Sequence, residues 1–232
     1  MKETGKKSHY LKLKTFKQSP SLAHLGDDEL WELANLATHR RFAKGEFIFI
    51  EGDPPDFLYV VQEGRVKLFK GSSSGKSLTF SIAHYGDTLH GIVLFTGKPC
   101  WISAQAMDEV TLLCLRAEAF LSFVTRHPSI LMKIIEILGN QIHSTNLRLI
   151  DVVSVNVKQR LLNVLSMLSS KFGSTLFFTN EELAELAGTT TETTIRIMGQ
   201  LKKSGVIDTR RGEVRILDCN RLDDLSSDFI MI

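Results

Sequence analysis

The residues best suited to recognition chemistry lie between Thr179 and Leu217, TNEELAELAGTTTETTIRIMGQLKKSGVIDTRRGEVRIL. Thr179 followed three residues later by Glu182 has the spacing of a capping box, in which hydroxyl and carboxylate each satisfy a free backbone N–H. Thr189 and Glu192 repeat that spacing and predict a second helix start. Leu183, Leu186 and Ala187 give the first helix an apolar face, and Ile195, Ile197, Met198 and Leu201 do so for the second. Gly188 and Gly205 suit the stops. Val206-Ile207 and Val214–Leu217 then flank Arg210-Arg211-Gly212, a hairpin tip with two cations. Helix, tight turn, helix and basic hairpin in this order predict a winged helix-turn-helix, a unit that lays one helix in the major groove of DNA. An ordinary helical pair with a satisfied cap is the alternative.

Other chemistries find little support. His9, His24, His39, His84, His90, His127 and His143 are scattered, without metal-ligand spacing. No phosphate-binding glycine loop or nucleophile motif is present, so the chain is not expected to be an enzyme and no metal site is expected. Cys100, Cys114 and Cys219 are odd in number and unpaired in spacing, which argues for inert thiols over disulfides. The net charge of +2 does not by itself select a partner. Between Val157 and Leu217, however, nine Lys/Arg face six Asp/Glu, a local surplus that phosphate contacts can use. No apolar run approaches the ~20 residues of a membrane helix, and the basic N-terminus lacks the apolar core of a secretory signal. A cytoplasmic protein without membrane contact is expected.

These residues need elements to position them, and 232 residues allow two domains. Short apolar segments broken by glycine run from Phe42 to Leu115: Phe47–Ile50, Leu58–Val61, Val66–Phe69, Leu78–Ile82, Ile102–Ala106 and Val110–Leu115. They predict a small sandwich or jelly roll. Leu22, Leu25, Leu30, Leu33, Leu36 and Ala37 suggest a helical cap before it. From Pro128 onward Leu131, Ile135, Leu138, Ile142, Thr145, Leu149 and Val152 form a heptad seam. Ile130, Ile134 and Ile137 make a second stripe that can lie on the roll. Two-sided apolarity suits a helix covered by its own domain and by a partner, with a single amphipathic core helix as the alternative.

The glycine-spaced stretches KGEFIFIEGDPPDFLYVVQEGRVKLF and YGDTLHGIVLF, followed by the long helix and the winged segment, resemble the CRP/FNR family of bacterial transcription regulators, from about residue 20 to residue 220. The resemblance implies an α+β chain: a flexible N-terminus (1–20), a cyclic-nucleotide-binding-like β-roll sensor (21–127), a dimerisation helix (128–154), a hinge near Val155–Val157 and a winged helix-turn-helix (155–232). It implies a homodimer through Leu131, Ile135, Leu138, Ile142 and Leu149, double-stranded palindromic DNA as partner, and RNA polymerase as a further one. Thr191, Glu192 and Arg196 match the family's base-reading positions; glutamate accepts from cytosine N4 and arginine donates to guanine O6/N7. An ion pair between Glu192 and Arg196 on a solvated face is the alternative. Thr191 stands where the family carries an arginine, and Ile195 where oxygen-sensing members carry serine. Thr179, Thr190, Thr194, Lys202, Arg210 and Arg211 are candidate phosphate contacts.

The effector pocket implied by the resemblance is Leu89, His90, Gly91, Cys100, Trp101 and Thr145. The cAMP-binding members hold the ribose with a Gly-Glu and the phosphate with a later Arg-Ser. Here Gly91 takes the glutamate position and Cys100-Trp101 replace Arg-Ser, so no cAMP is expected, because a buried phosphate without a cation is costly. No cysteine precedes Cys100, which excludes the N-terminal 4Fe–4S cluster of the oxygen sensors. Haem, with a response to nitric oxide or carbon monoxide, stays open as an alternative, although a lone histidine is more often structural. A β-roll serving as the regulatory module of a signalling enzyme or channel is the rival from another class.

Overall fold

The computed structural model describes residues 2–71, 77–89 and 91–227. It forms two compact units, Met1–Lys76 with Phe80–Ile142, and Ser77–Thr79 with His143–Ile232.

The first unit opens with helices α1 (Lys2–Gln18) and α2 (Asp27–Leu36). Eight strands follow: β1 (Thr38–Phe42), β2 (Phe47–Phe49), β3 (Phe57–Glu63), β4 (Val66–Gly71), β5 (Ser77–Ala83), β6 (Thr88–Leu89), β7 (Ser103–Ala106) and β8 (Val110–Arg116), with α3 (Val93–Thr96) between β6 and β7. Two four-stranded sheets, β1-β8-β3-β6 and β2-β7-β4-β5, make the roll. Helix α4 (Ala117–Arg126) leads into α5 (Ser129–Ser154).

Strand β3 shows why the sequence reads as a continuous apolar run there. Leu58 and Val60 face the helices, in one core with Phe16, Leu30, Leu33, Phe123 and Ile130. Tyr59 and Val61 face the other way, into the roll, with Ile48, Leu68, Ile102 and Leu112. A strand buried on both faces has no polar side to alternate with. Between β3 and β4 the chain turns at Gly64, φ 81°, where a Cβ would sit 2.3 Å from the Glu109 carbonyl oxygen. Beside that turn Arg65 grips Asp108 with two bonds, Nε to Oδ2 at 2.7 Å and Nη2 to Oδ1 at 2.8 Å. The Arg65 hydrogen bond holds the Asp108 carboxyl below the ordinary carboxylate range.

The expectation of a flexible segment through residue 20 is corrected. Lys2–Gln18 is helical, and its C-terminal part is anchored: Phe16 is fully buried, and the Lys12 ammonium donates to the Ala34 and Ala37 carbonyls at the end of α2. A cation on those carbonyls satisfies the acceptors a helix end leaves open. Burial in turn lowers the Lys12 pKa.

The second unit holds α6 (Val157–Phe172), β9 (Thr175–Leu176), α7 (Asn180–Ala187), α8 (Thr191–Lys203), β10 (Ile207–Arg210), β11 (Glu213–Ile216) and α9 (Cys219–Ser227). Strands β10, β11 and β9 form a three-stranded sheet. Leu161, Leu162, Val164, Leu165 and Leu168 of α6 are all buried.

Candidate nucleic-acid interface

The two helices expected to carry the interface are set by their caps. The Thr179 hydroxyl accepts from the Glu182 N–H at 3.2 Å, and the Glu182 carboxylate accepts from the Thr179 N–H at 2.7 Å. Gly188 ends α7 in the left-handed region, φ 62° and ψ 48°. The second start is shifted by one residue from the expected Thr189–Glu192 box. Thr190 is the N-cap of α8, accepting from the Thr193 N–H at 3.3 Å. Three consecutive threonines offer three possible caps, and only the packing of the helix decides among them.

That packing also corrects the expected inward face. Ile197, Met198 and Leu201 are buried, but Ile195 is 53% exposed, and Thr194 takes the inner position at 0%. Thr194, expected among the phosphate contacts, is therefore shielded from any phosphate. The outer face of α8 carries Glu192, Ile195, Arg196, Gly199 and Gln200, with Thr191 half-buried beside them. Glu192 and Arg196 form no ion pair with each other or with other described residues, so the solvated-pair alternative is not what the structure shows. The Glu192 carboxyl is held below its ordinary range by its own backbone N–H and by the Thr190 hydroxyl. It remains an acceptor at neutral pH.

Strands β10 and β11 pair from Ile207↔Ile216 to Arg210↔Glu213, leaving Arg211-Gly212 as the tip, with Gly212 at φ 72°. Arg210 and Arg211 are exposed and without an ion pair among the described residues. Thr191, Ile195 and Gly199 of α8 face Thr209–Gly212 of the hairpin across a groove of about 520 Å3, with Thr179 and Asn180 at one end. Lys202 is tied back instead, pairing with Asp208 at 2.7 Å and donating to the Thr209 carbonyl at 3.1 Å. It braces the hairpin against α8. Arg160, which carried no expectation, joins three carbonyls: Nε to Ala187 O at 3.0 Å, Nη2 to Gly188 O at 3.2 Å and Nη1 to Val155 O at 3.1 Å. No spacing signal in the sequence could have found it, because its acceptors lie 5, 27 and 28 residues away.

The long helix presents the expected two stripes. Ile130 is fully buried and Ile134 packs on the same core, while Leu131, Ile135 and Ile142 are 38%, 60% and 62% exposed and Leu138 is half-buried. The Leu149 side chain lies outside the described residues.

Within the roll, a small, partly open cavity of about 20 Å3 is lined by Phe49, Pro54, Pro55, Asp56, Phe57, Tyr59, Leu89, Val93 and Cys100. Of the expected effector residues, Leu89 and Cys100 are in this wall. Gly91 lies nearby in contact range of Leu58, whose Cδ1 would be 2.9 Å from a Cβ added at Gly91. Trp101 points outward, 48% exposed and edge-on to Phe80 at 5.1 Å, because residues along this segment alternate in and out. Thr145 is exposed on α5. His90 lies outside the described residues. Burial pushes the Tyr59 phenol to about 12 and the Cys100 thiol upward, so both stay protonated and the wall is uncharged apart from Asp56. Among the described residues no cluster of three or more His, Cys, Asp or Glu is placed to hold a metal, and no helix is long and apolar enough to cross a membrane.

A β-roll joined by a long helix to a winged helix-turn-helix, whose open face carries uncommitted charged side chains, defines a DNA-binding regulator. Comparison with known proteins agrees. A cyclic nucleotide-binding domain model matches residues 39–127 and a Crp-like helix-turn-helix domain model matches residues 159–225, together more than half of the chain. The chain is 28% identical to a CRP-like cAMP-activated global transcriptional regulator of Mycobacterium tuberculosis, covering 78% of this chain and 84% of the relative. It is 26% identical to the cyclic AMP receptor protein of Thermus thermophilus, covering 90% and 98%. The fold is shared with FixK2 from Bradyrhizobium japonicum, with a TM-score of 0.75 and 17% identity over 82% of this chain and 98% of that one. The chain belongs to the CRP/FNR family of transcription regulators.

Proposed function

We propose that the chain acts as a homodimer that reads a two-fold-symmetric DNA site through α8 and the β10–β11 hairpin, and that its roll tunes this binding through a small, uncharged, largely apolar ligand. The supporting observation is the outer face of α8, where Glu192 and Arg196 are exposed and free of ion pairs among the described residues, beside a groove in which Thr191, Ile195 and Gly199 face Arg210 and Arg211. The exposed Leu131–Ile135–Ile142 stripe supports dimerisation, since contiguous exposed apolar surface marks an interface. Two-fold symmetry in the protein then calls for a palindromic site.

The Mycobacterium relative is cAMP-activated by name. A different chemistry here is supported by the cavity lining, in which Asp56 is the one charged residue. A phosphate there would be desolvated and repelled. The cavity has room for about one water, so a ligand of more than a few heavy atoms would widen it.

Selection from a random duplex pool tests the DNA reading: an enriched palindrome is expected, and no enrichment at low salt would overturn it. Calorimetry tests the effector reading. No heat with millimolar cAMP is expected, and micromolar affinity would refute the uncharged-ligand assignment.

A further inference from the structure

Helix α8 inverts the usual preference at one place. It buries the hydroxyl of Thr194, whose Oγ1 has no hydrogen-bond partner, and leaves the neighbouring Ile195 53% exposed. The helix cannot rotate to correct this, because Ile197, Met198 and Leu201 lock its phase at 1–3% exposure. Burying an unpaired hydroxyl and wetting a branched hydrocarbon both cost free energy. The fold gains nothing from the exposed isoleucine.

One turn further along the same face stands Gly199. A Cβ there would meet nothing within 4 Å, so no internal crowding demands glycine, although alanine would suit the helix better. Ile195 and Gly199 both line the groove that faces the hairpin cations. An apolar side chain beside a position kept bare, flanked by Glu192 and Arg196 and opposed by Arg210 and Arg211, fits an occupant that is polyanionic outside and carries an isolated apolar group inside. Duplex DNA is such an occupant. Its major-groove edge presents one apolar group, the C5-methyl of thymine.

We infer that Ile195 is a specificity-determining residue that packs on a thymine methyl group in each half-site, with Gly199 letting the helix wall approach the duplex closely. This rests on the DNA reading proposed above. It assigns sequence preference at a step that Glu192 and Arg196, which recognise cytosine and guanine edges, do not cover.

The test uses the full-length protein and the palindrome it enriches from a random pool. Each thymine of the half-site is replaced in turn by deoxyuridine, which removes the methyl and leaves the pairing edge intact. The wild type is expected to lose about fourfold in affinity per half-site at one position, the factor that burial of a single methyl group represents. Ile195→Ala, whose melting temperature should be unchanged because the side chain is exposed, is expected to bind thymine and deoxyuridine duplexes equally. Wild-type binding that ignores deoxyuridine at every position would overturn the assignment while leaving the DNA reading standing. So would an Ile195→Ala protein that keeps the full thymine preference, or one weakened on both duplexes alike while still discriminating. Failure of the pool to enrich at all would remove both.

Discussion

The outer face of α8 and the interior of the roll are the surfaces proposed for DNA and for a small ligand, and they are prepared in opposite ways. On α8, Ile195 and Arg196 are in solvent without an ion pair among the described residues, and Glu192 is exposed with only its own N–H and the Thr190 hydroxyl on its carboxylate. In the roll, the wall is already occupied by itself: Phe49 stacks on Tyr59 at 6.0 Å, Phe57 lies against Tyr59 at 5.8 Å, and about 20 Å3 remains. A duplex can dock on the first surface without repacking anything. A ligand in the second must undo native contacts before making its own, so its binding is tied to a change of shape. That is the requirement for a ligand to shift an equilibrium between two conformations.

The contrast can be broken from either side. The largest effect is expected at the seam that would bring two α8 helices to one site. Replacing Leu138 and Ile142 together by glutamate should give monomers in sedimentation at micromolar concentration and cost about a hundredfold or more in palindrome affinity, because a buried unpaired charge is penalised by several kcal/mol. Far-UV circular dichroism should be unchanged, since Ile142 is exposed and Leu138 half-exposed in the single chain. Next, Gly64→Ala should destabilise the roll by roughly 3 kcal/mol, the sum of left-handed backbone strain and overpacking. Its Cβ would be forced against the Glu109 carbonyl and the Val110 side chain. Denaturant unfolding followed at the roll should show this loss.

Glu192→Ala and Arg196→Ala should each cost ~1–3 kcal/mol in binding and relax the preference at one base pair, with no loss of melting temperature. If both bind the enriched site as the wild type does, α8 is not the reading helix. The smallest effect concerns acid. Asp108 is depressed in the folded state by Arg65, so its contribution is present above the unfolded carboxylate pKa near 3.9 and disappears as pH falls through the lower folded value. Arg65→Met should remove at most about 1 kcal/mol at neutral pH, since the Asp108 side chain is 38% exposed and screened. The variant and the wild type should converge in stability at the acid end of a pH series.

What the sequence disclosed follows the same division. The Thr179–Glu182 cap, the Gly188 stop and the Arg211 tip are local devices, fixed by residues a few positions apart, and they were legible. Strand β1 was not, because four of the five residues in Thr38–Phe42 are exposed and give no alternation. Helix α1 was obscured by its polar composition, since Phe16 and Thr15 find their burial against partners distant in sequence. The inner and outer faces of α8 depended on packing against α7 and β10, so apolar spacing alone placed Ile195 inside and Thr194 outside. The cavity wall was legible at Leu89 and Cys100, whereas Phe49, Phe57 and Tyr59 came together through strand pairing that no single stretch displays.

Arg160 gives the second unit a mechanical property. Two of its nitrogens hold the carbonyls at the negative end of α7, and a third holds Val155, in the short passage between α5 and α6. A planar guanidinium cannot stretch, so these three points behave as corners of a rigid plate. Val155 and the turn at Gly188, shortly before α8, are therefore held by the same guanidinium. One side chain thus ties the passage at Val155 to the turn that precedes α8.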